Sequence, residues 1–285
     1  TGITGCVASG VVEVAIADVP ITPSINGPNA ICSNEDLILT TTAVPLNGVE
    51  YRWFTGVPPN GTFLQSTTTP TLMLPPPHNE GNVVYYTQIL VNGCSSVESP
   101  AKTVQVTEVP VAVIASSPDD PLCEGESIML EAQESTMTGL TYTWTGPNGF
   151  MSNARIVTVT ENATLASSGV YNLEVSKNGC VSETTADSRA QVTVTAKPPR
   201  PLLTNNGPVC AGEEVTLITN ISNATSYVWV APDFDEITTP SNRLTLSGTD
   251  VIDAGNWTMY VIRGGCASDL SAPSLVEINA APTLN

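Results

Sequence analysis

The chain has 285 residues, with 9 basic against 27 acidic side chains and a formal net charge of -18. Such a charge repels phosphate backbones and anionic membranes, which excludes nucleic-acid binding through basic patches. Seven cysteines in a regular pattern indicate disulfides and therefore an oxidising, extracellular compartment. The alternative, a zinc site, would need CxxC pairs or clustered histidines, and the sequence has neither. No run of 18 apolar residues occurs, so no membrane-spanning helix is predicted.

Cysteines and aromatic residues recur along the chain at a fixed period. Closing cysteines stand at positions 6, 94, 180 and 266, which are 86 to 88 residues apart. A tryptophan follows each opening cysteine by 19 to 21 residues, and an aromatic residue precedes each later closing cysteine by nine. These aromatic residues, all predicted to lie in cores, are Trp53, Trp144, Trp229, Tyr85, Tyr171 and Trp257. Such a period indicates a tandem array of similar domains.

The period divides the chain into a remnant and three repeats. Residues 1–19 are predicted to form the last strand of a preceding repeat, because Cys6 is followed by an alternation of apolar residues as in the later repeats. The three repeats then cover 20–109, 110–197 and 198–285. Proline-rich joints at 20–23, 110 and 198–201 predict short, stiff connections.

Within each repeat the apolar residues alternate with a period of two, which is typical of half-buried strands. Five such segments follow one another in every repeat, in the order B, C, E, F and G. Strands F and G are separated by Asn-Gly or Gly-Gly at 92–93, 178–179 and 264–265, residues that accept the positive φ of a tight hairpin. No segment has a sustained helical period. The sequence therefore predicts an all-β protein made of antiparallel β-sandwiches.

The motifs resemble a known family of repeats. A tryptophan on strand C, with Gly-Val-Tyr at 169–171 opening strand F, resembles the immunoglobulin-like fold and its tyrosine corner. Cys-x-Gly-Glu at 123–126 and 210–213, with Asn-Gly-Cys after strand F, is similar to the Ig-like and PKD-like repeats of large Bacteroidetes surface proteins. These include gliding-motility adhesins exported by type IX secretion. The first repeat departs with Cys-Ser-Asn-Glu at 32–35, and Trp257 replaces the corner tyrosine in the third.

Two patterns of disulfide pairing are open. Pairing within repeats would join Cys32–Cys94, Cys123–Cys180 and Cys210–Cys266. In an immunoglobulin-like sandwich, however, the cysteine before strand B and the cysteine after strand F lie at opposite ends, roughly 30 Å apart at ~3.3 Å per residue. A disulfide needs Cα atoms within about 7 Å. We therefore expect end-to-end sandwiches joined by Cys32–Cys180 and Cys123–Cys266, and we expect Cys6, Cys94 and Cys210 to have partners outside this sequence.

No catalytic constellation is predicted. The only histidine, His78, stands in a proline-rich stretch, and no nucleophile elbow surrounds any serine. We therefore expect neither an enzyme nor a cofactor. Weak calcium candidates are the loop carboxylates Asp119, Asp120, Asp233 and Asp235, because Ca²⁺ takes six to eight oxygen ligands. Solvated acidic loops are the alternative interpretation of these residues.

The expected function is structural: a stalk or filament segment of a long extracellular bacterial adhesin at the cell surface, carrying a binding tip elsewhere. The resemblance implies that the parent is a gliding adhesin. The alternative is an Ig-like module that itself binds polysaccharide or a protein partner, for which the loop aromatics Phe150 and Phe234 are candidates. Expected partners are neighbouring repeats of the same polypeptide, and in addition surface polysaccharide or other filament subunits.

Overall fold

The computed structural model describes residue 10 and residues 19–44, 47–118 and 122–280. The predicted remnant strand over 1–19, apart from Gly10 and Val19, lies outside the described residues, as does Cys6. The described part of the chain is built from 29 short strands and three single-turn 3-10 helices. These strands form three hydrophobic cores, one after another along the sequence.

The first sandwich surrounds Trp53 and is formed by nine strands. They are β1 (Ile25–Asn26), β2 (Ala30–Cys32), β3 (Leu37–Thr41), β4 (Val49–Thr55), β5 (Thr62–Thr67), β6 (Thr71–Leu74), β7 (Gly81–Val91), β8 (Cys94–Ser95) and β9 (Lys102–Thr107). One sheet has the order β1-β3-β6, and the other has the order β2-β9-β7-β4-β5, with β8 paired to β7. Leu37 and Leu72 from the first sheet and Ile89 from the second share one buried core with Trp53.

The second sandwich surrounds Trp144. Its strands are β10 (Ile114–Ser116), β11 (Leu122–Cys123), β12 (Ile128–Ala132), β13 (Thr141–Gly146), β14 (Phe150–Ser152), β15 (Ile156–Thr160), β16 (Gly169–Lys177), β17 (Cys180–Val181), β18 (Arg189–Val192) and β19 (Val194–Thr195), with 3-10 turns at Pro147–Gly149 and Leu165–Ser167. The sheets are β10-β12-β15, and β14-β13-β16-β17 with β18 on β16.

The third sandwich surrounds Trp229. Its strands are β20 (Leu203–Asn205), β21 (Val209–Cys210), β22 (Val215–Thr219), β23 (Ser226–Val230), β24 (Glu236–Thr239), β25 (Arg243–Leu246), β26 (Gly255–Arg263), β27 (Cys266–Ala267), β28 (Ser274–Val276) and β29 (Ile278–Asn279), with a 3-10 turn at Val251–Asp253. The sheets are β20-β22-β25, and β24-β23-β26-β27 with β28 on β26.

Strand β12 illustrates why the alternating segments form sandwiches. Ile128 and Leu130 are fully buried, whereas Met129 between them is 51% exposed, because successive side chains point to opposite faces of a sheet. The same alternation places the fully buried tryptophan of each sandwich at the centre of its core. All six aromatic residues expected in cores, Trp53, Trp144, Trp229, Tyr85, Tyr171 and Trp257, are buried.

The sandwiches are not purely antiparallel. In each of them a two- or three-residue strand ending in a cysteine pairs in parallel with the last strand: β2 with β9, β11 with β19, and β21 with β29. The expectation of antiparallel sheets therefore needs this correction at three places. At these cysteines the chain crosses from one sheet to the other. The short strand therefore lies beside the last strand of its sandwich and runs in the same direction.

The chain divides into two compact units. The first consists of Thr1–Pro110 and Ser176–Ser182, and the second of Val111–Val175 and Glu183–Asn285. The segment Ser176–Ser182, which contains the hairpin between β16 and β17, therefore belongs to the same unit as the first sandwich. The second and third sandwiches otherwise share the second unit.

The start of the long strand before each closing cysteine is fixed by an aromatic hydrogen bond in the second and third sandwiches. The Tyr171 hydroxyl donates to the Ser167 carbonyl at 2.9 Å, and burial raises the pKa of this phenol. In the third sandwich the Trp257 indole N–H donates to the Asp253 carbonyl at 3.1 Å. Tryptophan therefore supplies the bond to the carbonyl four residues earlier that tyrosine makes in the second sandwich.

Candidate functional site

Each of the three sandwiches carries a cysteine turn, Cys-x-x-Glu, at 32–35, 123–126 and 210–213. In each turn the glutamate carboxylate accepts from the cysteine N–H, and the glutamate N–H donates to the cysteine carbonyl. The carboxylate–amide distances are 2.9 Å for Cys32–Glu35, 2.7 Å for Cys123–Glu126 and 2.8 Å for Cys210–Glu213. This reciprocal pair has the logic of a helix capping box, applied here to an isolated turn. The turn is therefore closed by its own residues.

The last strand of the same sandwich holds the cysteine turn in place. Cys123 is paired in parallel with Thr195, and the Glu124 N–H donates to the Thr195 carbonyl at 3.0 Å. In the third sandwich Cys210 is paired with Asn279, and the Ala211 N–H donates to the Asn279 carbonyl at 2.8 Å. Each turn is consequently a rigid extension of its own sandwich.

Each sandwich also carries a cysteine hairpin, formed by the two residues before a closing cysteine and the strand pair around them. The turn residues have φ of 49° and 83° at Asn92-Gly93, 49° and 87° at Asn178-Gly179, and 60° and 82° at Gly264-Gly265. Two consecutive positive φ values are typical of a type I′ turn, which matches the twist of a hairpin. The closing cysteine then pairs across the hairpin, for example Cys180 with Lys177.

In the first and third sandwiches, a buried serine just after the hairpin accepts a backbone N–H of the long strand in place of a carbonyl of a neighbouring strand. The Ser96 hydroxyl accepts from the Ile89 N–H at 2.9 Å, and the Ser268 hydroxyl accepts from the Val261 N–H at 3.0 Å. Because an unpaired buried N–H would cost free energy, these serines allow the chain to leave the sheet directly after the cysteine. The sequence reasoning did not identify them; a serine two residues after a closing cysteine is the signal that would have found them.

Two disulfides connect cysteine turns to cysteine hairpins. Cys32 is bonded to Cys180 and Cys123 to Cys266, with Cα–Cα distances of 5.6 Å in both. These are the pairs expected between repeats; the structure forms none of the alternative pairs within repeats. The first disulfide lies within the first compact unit and the second lies within the second unit. The loops that they close, of 148 and 143 residues, overlap along the chain.

The Cys32–Cys180 disulfide is supported by polar contacts inside its unit. Lys177, beside the hairpin, forms an ion pair with Glu80 at 2.6 Å, and the lysine side chain is only 15% exposed. The His78 N–H donates to the Ser33 carbonyl at 2.9 Å, next to Cys32. The Nε2 atom of His78 is buried without a hydrogen-bond partner among the described residues. The sole histidine is thus a loop residue beside the disulfide.

The Cys123–Cys266 disulfide is buried on its hairpin side. Cys266 is fully buried, and its sulfur lies 3.9 Å from the carbonyl oxygen of Thr195, the residue that pairs with Cys123. The hairpin backbone also lies close to the same residue, because a Cβ added to Gly264 would be 3.4 Å from the Thr195 side chain. The hairpin of the third sandwich therefore sits directly on the cysteine turn of the second.

Two described cysteines are free. Cys94 lies on the hairpin of the first sandwich and is partly buried, whereas Cys210 lies in the turn of the third sandwich and is exposed. Each sits at the position that carries a disulfide in the neighbouring sandwich. Cys6, the remaining cysteine, lies outside the described residues.

The calcium candidates do not come together. Asp119 and Asp120 lie outside the described residues. Asp233 accepts the Asp235 N–H at 3.2 Å and so closes its own loop. Among residues 19–44, 47–118 and 122–280, no group of three or more His, Cys, Asp or Glu side chains is arranged to hold a metal ion.

The two aromatic residues that were expected in loops differ in their surroundings, and Phe150 is in fact the first residue of strand β14. Phe150 packs edge-on against Tyr171, with ring centroids 5.8 Å apart. Phe234 is 84% exposed. Its φ of 72° is a left-handed conformation that favours glycine, and the corresponding residue of the second sandwich is indeed a glycine, Gly149, with a φ of 74°. A cavity of about 360 Å³ beside the Phe234 loop is lined by residues that include Pro232 and Ile252. Phe234 is therefore the aromatic that faces solvent.

Comparison with known proteins identifies the first sandwich. Residues 20–110 match the model of a family described as "Ig-like domain CHU_C associated". These residues form an Ig-like domain. The matched family is a Bacteroidetes-type Ig-like domain, which agrees with the resemblance expected from the sequence, and the match indicates no enzyme family. No curated protein matches the chain.

Several solved structures are similar to the chain. They are domains A168-A170 of titin (14% identity, 88% of this chain and 97% of that chain, TM-score 0.40), extracellular domains 3-5 of Drosophila OTK (11%, 90% and 96%, 0.33) and domains FN1-FN3 of chicken CNTN1 (9%, 90% and 99%, 0.29).

An Ig-like domain with disulfides is consistent with an extracellular or secreted protein. Within the described part of the chain, none of the helices has the length and apolar character needed to cross a membrane.

Proposed function

We propose that this chain is a structural segment of the stalk or filament of a long extracellular bacterial adhesin. In this role it transmits force from module to module and displays a binding tip located elsewhere in the parent protein. By the same proposal, the parent is a gliding adhesin on the cell surface, and residues 20–109, 110–197 and 198–285 are its repeating modules. The observation that carries the proposal is the pair of overlapping disulfides.

The overlap matters because it limits how far the chain extends under tension. The shortest covalent path between the two ends of the chain passes through both disulfides. It contains 31 backbone links before Cys32, 57 between Cys180 and Cys123, and 19 after Cys266. At ~3.6 Å per link, these segments extend to roughly 390 Å, against roughly 1,020 Å for the reduced chain. Even with every sandwich unfolded, the two disulfides would carry the load and would keep the extended chain well short of its reduced length.

The remaining features fit a load-bearing spacer. Each sandwich buries a tryptophan whose indole N–H is bonded to the adjoining edge of the sheet, to Thr67, Ala154 and Thr239 at 3.0, 2.8 and 2.9 Å. The acidic surface keeps a long chain soluble, since a net charge far from zero opposes association.

Single-molecule pulling from the two termini tests the proposal. The oxidised protein should reach a contour length of roughly 390 Å, and a reductant should raise it to roughly 1,020 Å. The double variant Cys123→Ser/Cys266→Ser keeps the 148-residue loop of Cys32–Cys180, so it should extend to roughly 490 Å. A contour of roughly 800 Å for this variant would mean that only Cys32–Cys94 had remained, and would contradict the force-bearing role.

One observation favours a second candidate function, an Ig-like module that itself binds polysaccharide or a protein partner. Phe234 presents an aromatic ring to solvent from a backbone conformation that glycine usually occupies. Sugar rings stack on such exposed aromatic faces. The test is a glycan array and a cell-adhesion assay with the intact protein, with Phe234→Ala as the variant. Met151→Ala, which removes an exposed apolar side chain from strand β14 of the second sandwich, is the control. Binding that is lost only with Phe234→Ala would favour this function.

A further inference from the structure

The third sandwich carries a cavity in which apolar side chains and carboxylates meet. We propose that this cavity binds a lysine- or arginine-bearing segment of a protein partner, with the exposed Phe234 ring beside it. The inference goes beyond the stalk role. It rests on the second candidate function, binding by the module itself, and it names the chemistry of the partner.

Apolar side chains supply one part of the cavity. Its volume of about 360 Å³ falls within the ~300–1,000 Å³ that is typical of ligand clefts. Trp257, which is buried, and Ile237, which is half-buried, line it from the sandwich side. Ile252 also lines it and is 83% exposed, and Phe234 in the adjoining loop is exposed to a similar degree. Together these side chains offer a surface for the hydrocarbon stem of a long side chain from a partner.

Carboxylates supply the other part of the cavity. Its lining includes four acidic residues, which are Asp233, Asp235, Glu236 and Asp253, and no described lysine, arginine or histidine. The three ion pairs found among the described residues all lie elsewhere. Backbone N–H groups donate to Asp233 and Asp253 at 3.2 and 2.9 Å, which fixes these side chains without neutralising their charge. No described cation therefore compensates the negative charge of the cavity.

The second sandwich has the matching cavity without these charges. That cavity, of about 300 Å³, lies beside Tyr171, as the cavity of the third sandwich lies beside Trp257. Both include a proline just after the strand that carries the core tryptophan, Pro147 in one and Pro232 in the other. None of the described residues that line the second cavity is charged, and Phe150 packs edge-on against Tyr171. The carboxylates and the exposed ring are thus specific to the third sandwich and are not required by the fold.

Charge complementarity selects the occupant. A negatively charged recess with apolar walls suits a cation on a hydrocarbon stem, which describes the side chains of lysine and arginine. The face of the Phe234 ring offers a further contact to such a cation. A second copy of this chain is a poor match, because it carries 27 acidic against 9 basic residues. A metal ion is a poor match too, since within 19–44, 47–118 and 122–280 no three His, Cys, Asp or Glu side chains are arranged to hold one.

Peptide binding to the intact, oxidised protein tests the inference. The probe is a fluorescein-labelled peptide of alternating lysine and serine residues, followed by fluorescence anisotropy at physiological ionic strength. The matched probe has glutamate in place of lysine and should not bind. Asp233→Asn/Asp235→Asn removes two charges from the cavity and keeps an oxygen that accepts the N–H of residue 235. We expect this variant to raise the Kd of the basic peptide by about tenfold.

The control removes the same number of charges elsewhere in the third sandwich. Asp269→Asn/Glu277→Gln neutralises two exposed carboxylates that do not line the cavity, so it should change the Kd by less than about twofold. An equal loss in the two variants would mean that the peptide responds only to the net charge of the protein, and would overturn the inference. Absence of binding by the basic peptide, or equal binding of the glutamate peptide, would overturn it as well.

A second pair of variants tests the apolar part of the cavity. Ile252→Ala removes an exposed side chain from the lining and should raise the Kd by about threefold. Leu275→Ala removes an exposed side chain from strand β28, outside the cavity, and should leave the Kd unchanged. All these variants should melt like the parent protein, because the substituted side chains are exposed. Equal effects of Ile252→Ala and Leu275→Ala would show that the peptide binds elsewhere.

The glycan array and the cell-adhesion assay separate this inference from the second candidate function. If a glycan binds, Phe234→Ala abolishes that binding and the basic peptide is ignored, then the module binds sugar and only this inference fails. If the protein forms a dimer in sedimentation that Asp233→Asn/Asp235→Asn dissociates, the cavity accepts a second copy and the inference again fails. If glycans, cells and peptide are all ignored, the second candidate function fails with it.

Discussion

The second and third sandwiches are built alike and differ mainly in what is attached to their cysteine turns. Cys123 is bonded to Cys266, whereas Cys210 is free, yet both turns have the same carboxylate–amide bond and the same parallel pairing. The disulfide therefore does not create the turn. A sandwich forms its own turn from local contacts, and a hairpin from another repeat is then attached to it.

The comparison separates two contributions to stability. Core packing and strand pairing hold each sandwich together, and the third turn keeps the contacts of the second turn although it carries no disulfide. The disulfide acts at the turn and restrains the chain over more than a hundred residues. The following predictions test whether the two contributions are as independent as the comparison suggests.

The largest effect is expected from removing the core tryptophans. Trp144→Ala and Trp229→Ala each leave a large cavity in a fully buried core and should each cost about 3–5 kcal/mol of unfolding free energy. Chemical denaturation measures this cost. Hydrogen exchange should show that Trp229→Ala exposes the Cys210 amide while Trp144→Ala leaves it protected. Loss of both turns in either variant would show that the sandwiches do not form their turns separately.

Removing a disulfide should cost somewhat less and should act elsewhere. Cys123→Ser/Cys266→Ser is expected to lower the unfolding free energy by about 2–4 kcal/mol, because the unfolded chain regains the freedom of a 143-residue loop. The amide of residue 123 should keep its protection from hydrogen exchange, which makes the second turn resemble the free third one. An unprotected turn would mean that the disulfide, and not Glu126, holds it.

A smaller and matched effect is expected at the turn carboxylates. Glu126→Ala and Glu213→Ala each remove the acceptor of one backbone N–H and should each cost about 1 kcal/mol. Thermal unfolding of the two variants gives the comparison directly. Since both turns contain the same bonds, the two costs should agree; a cost confined to Glu126→Ala would tie the carboxylate to the disulfide.

The smallest effect is expected at the loop after strand C, the other place where the two sandwiches differ. Phe234→Gly removes a side chain from a left-handed conformation and should stabilise the third sandwich by up to about 1 kcal/mol. Gly149→Ala introduces the same strain in the second sandwich and should destabilise it by about 1 kcal/mol. Melting curves of the two variants should shift in opposite directions. A destabilised Phe234→Gly would indicate that the ring packs against its sandwich.

The fold was largely predictable from the sequence because the apolar period of two directly reports strands with one buried face. The immunoglobulin-like prediction is confirmed, and the match of residues 20–110 agrees with the family resemblance. The parallel pairs were not predictable in this way. Strand β11 has only two residues, Leu122–Cys123, which is too short for any periodicity to appear.

The cysteine turns and hairpins were only partly predictable. The motif at 123–126 marked a special position, but a spacing of Cys-x-x-Glu does not reveal that the carboxylate binds the cysteine N–H. The Trp257 bond was not predictable, because an indole and a phenol differ in length and the 3-10 turn that brings the Asp253 carbonyl within reach leaves no periodic signal in the sequence. The biological role is less predictable still, since one fold supports many functions.

Peptide mapping of the intact, oxidised protein under non-reducing conditions tests the central claim most directly. Proteolysis followed by mass spectrometry should yield two cross-linked species, one joining the peptides of Cys32 and Cys180 and the other joining those of Cys123 and Cys266. Each should separate into its two peptides on reduction. A peptide that joins Cys123 to Cys180, or Cys32 to Cys94, would place the disulfides inside single sandwiches and contradict the account.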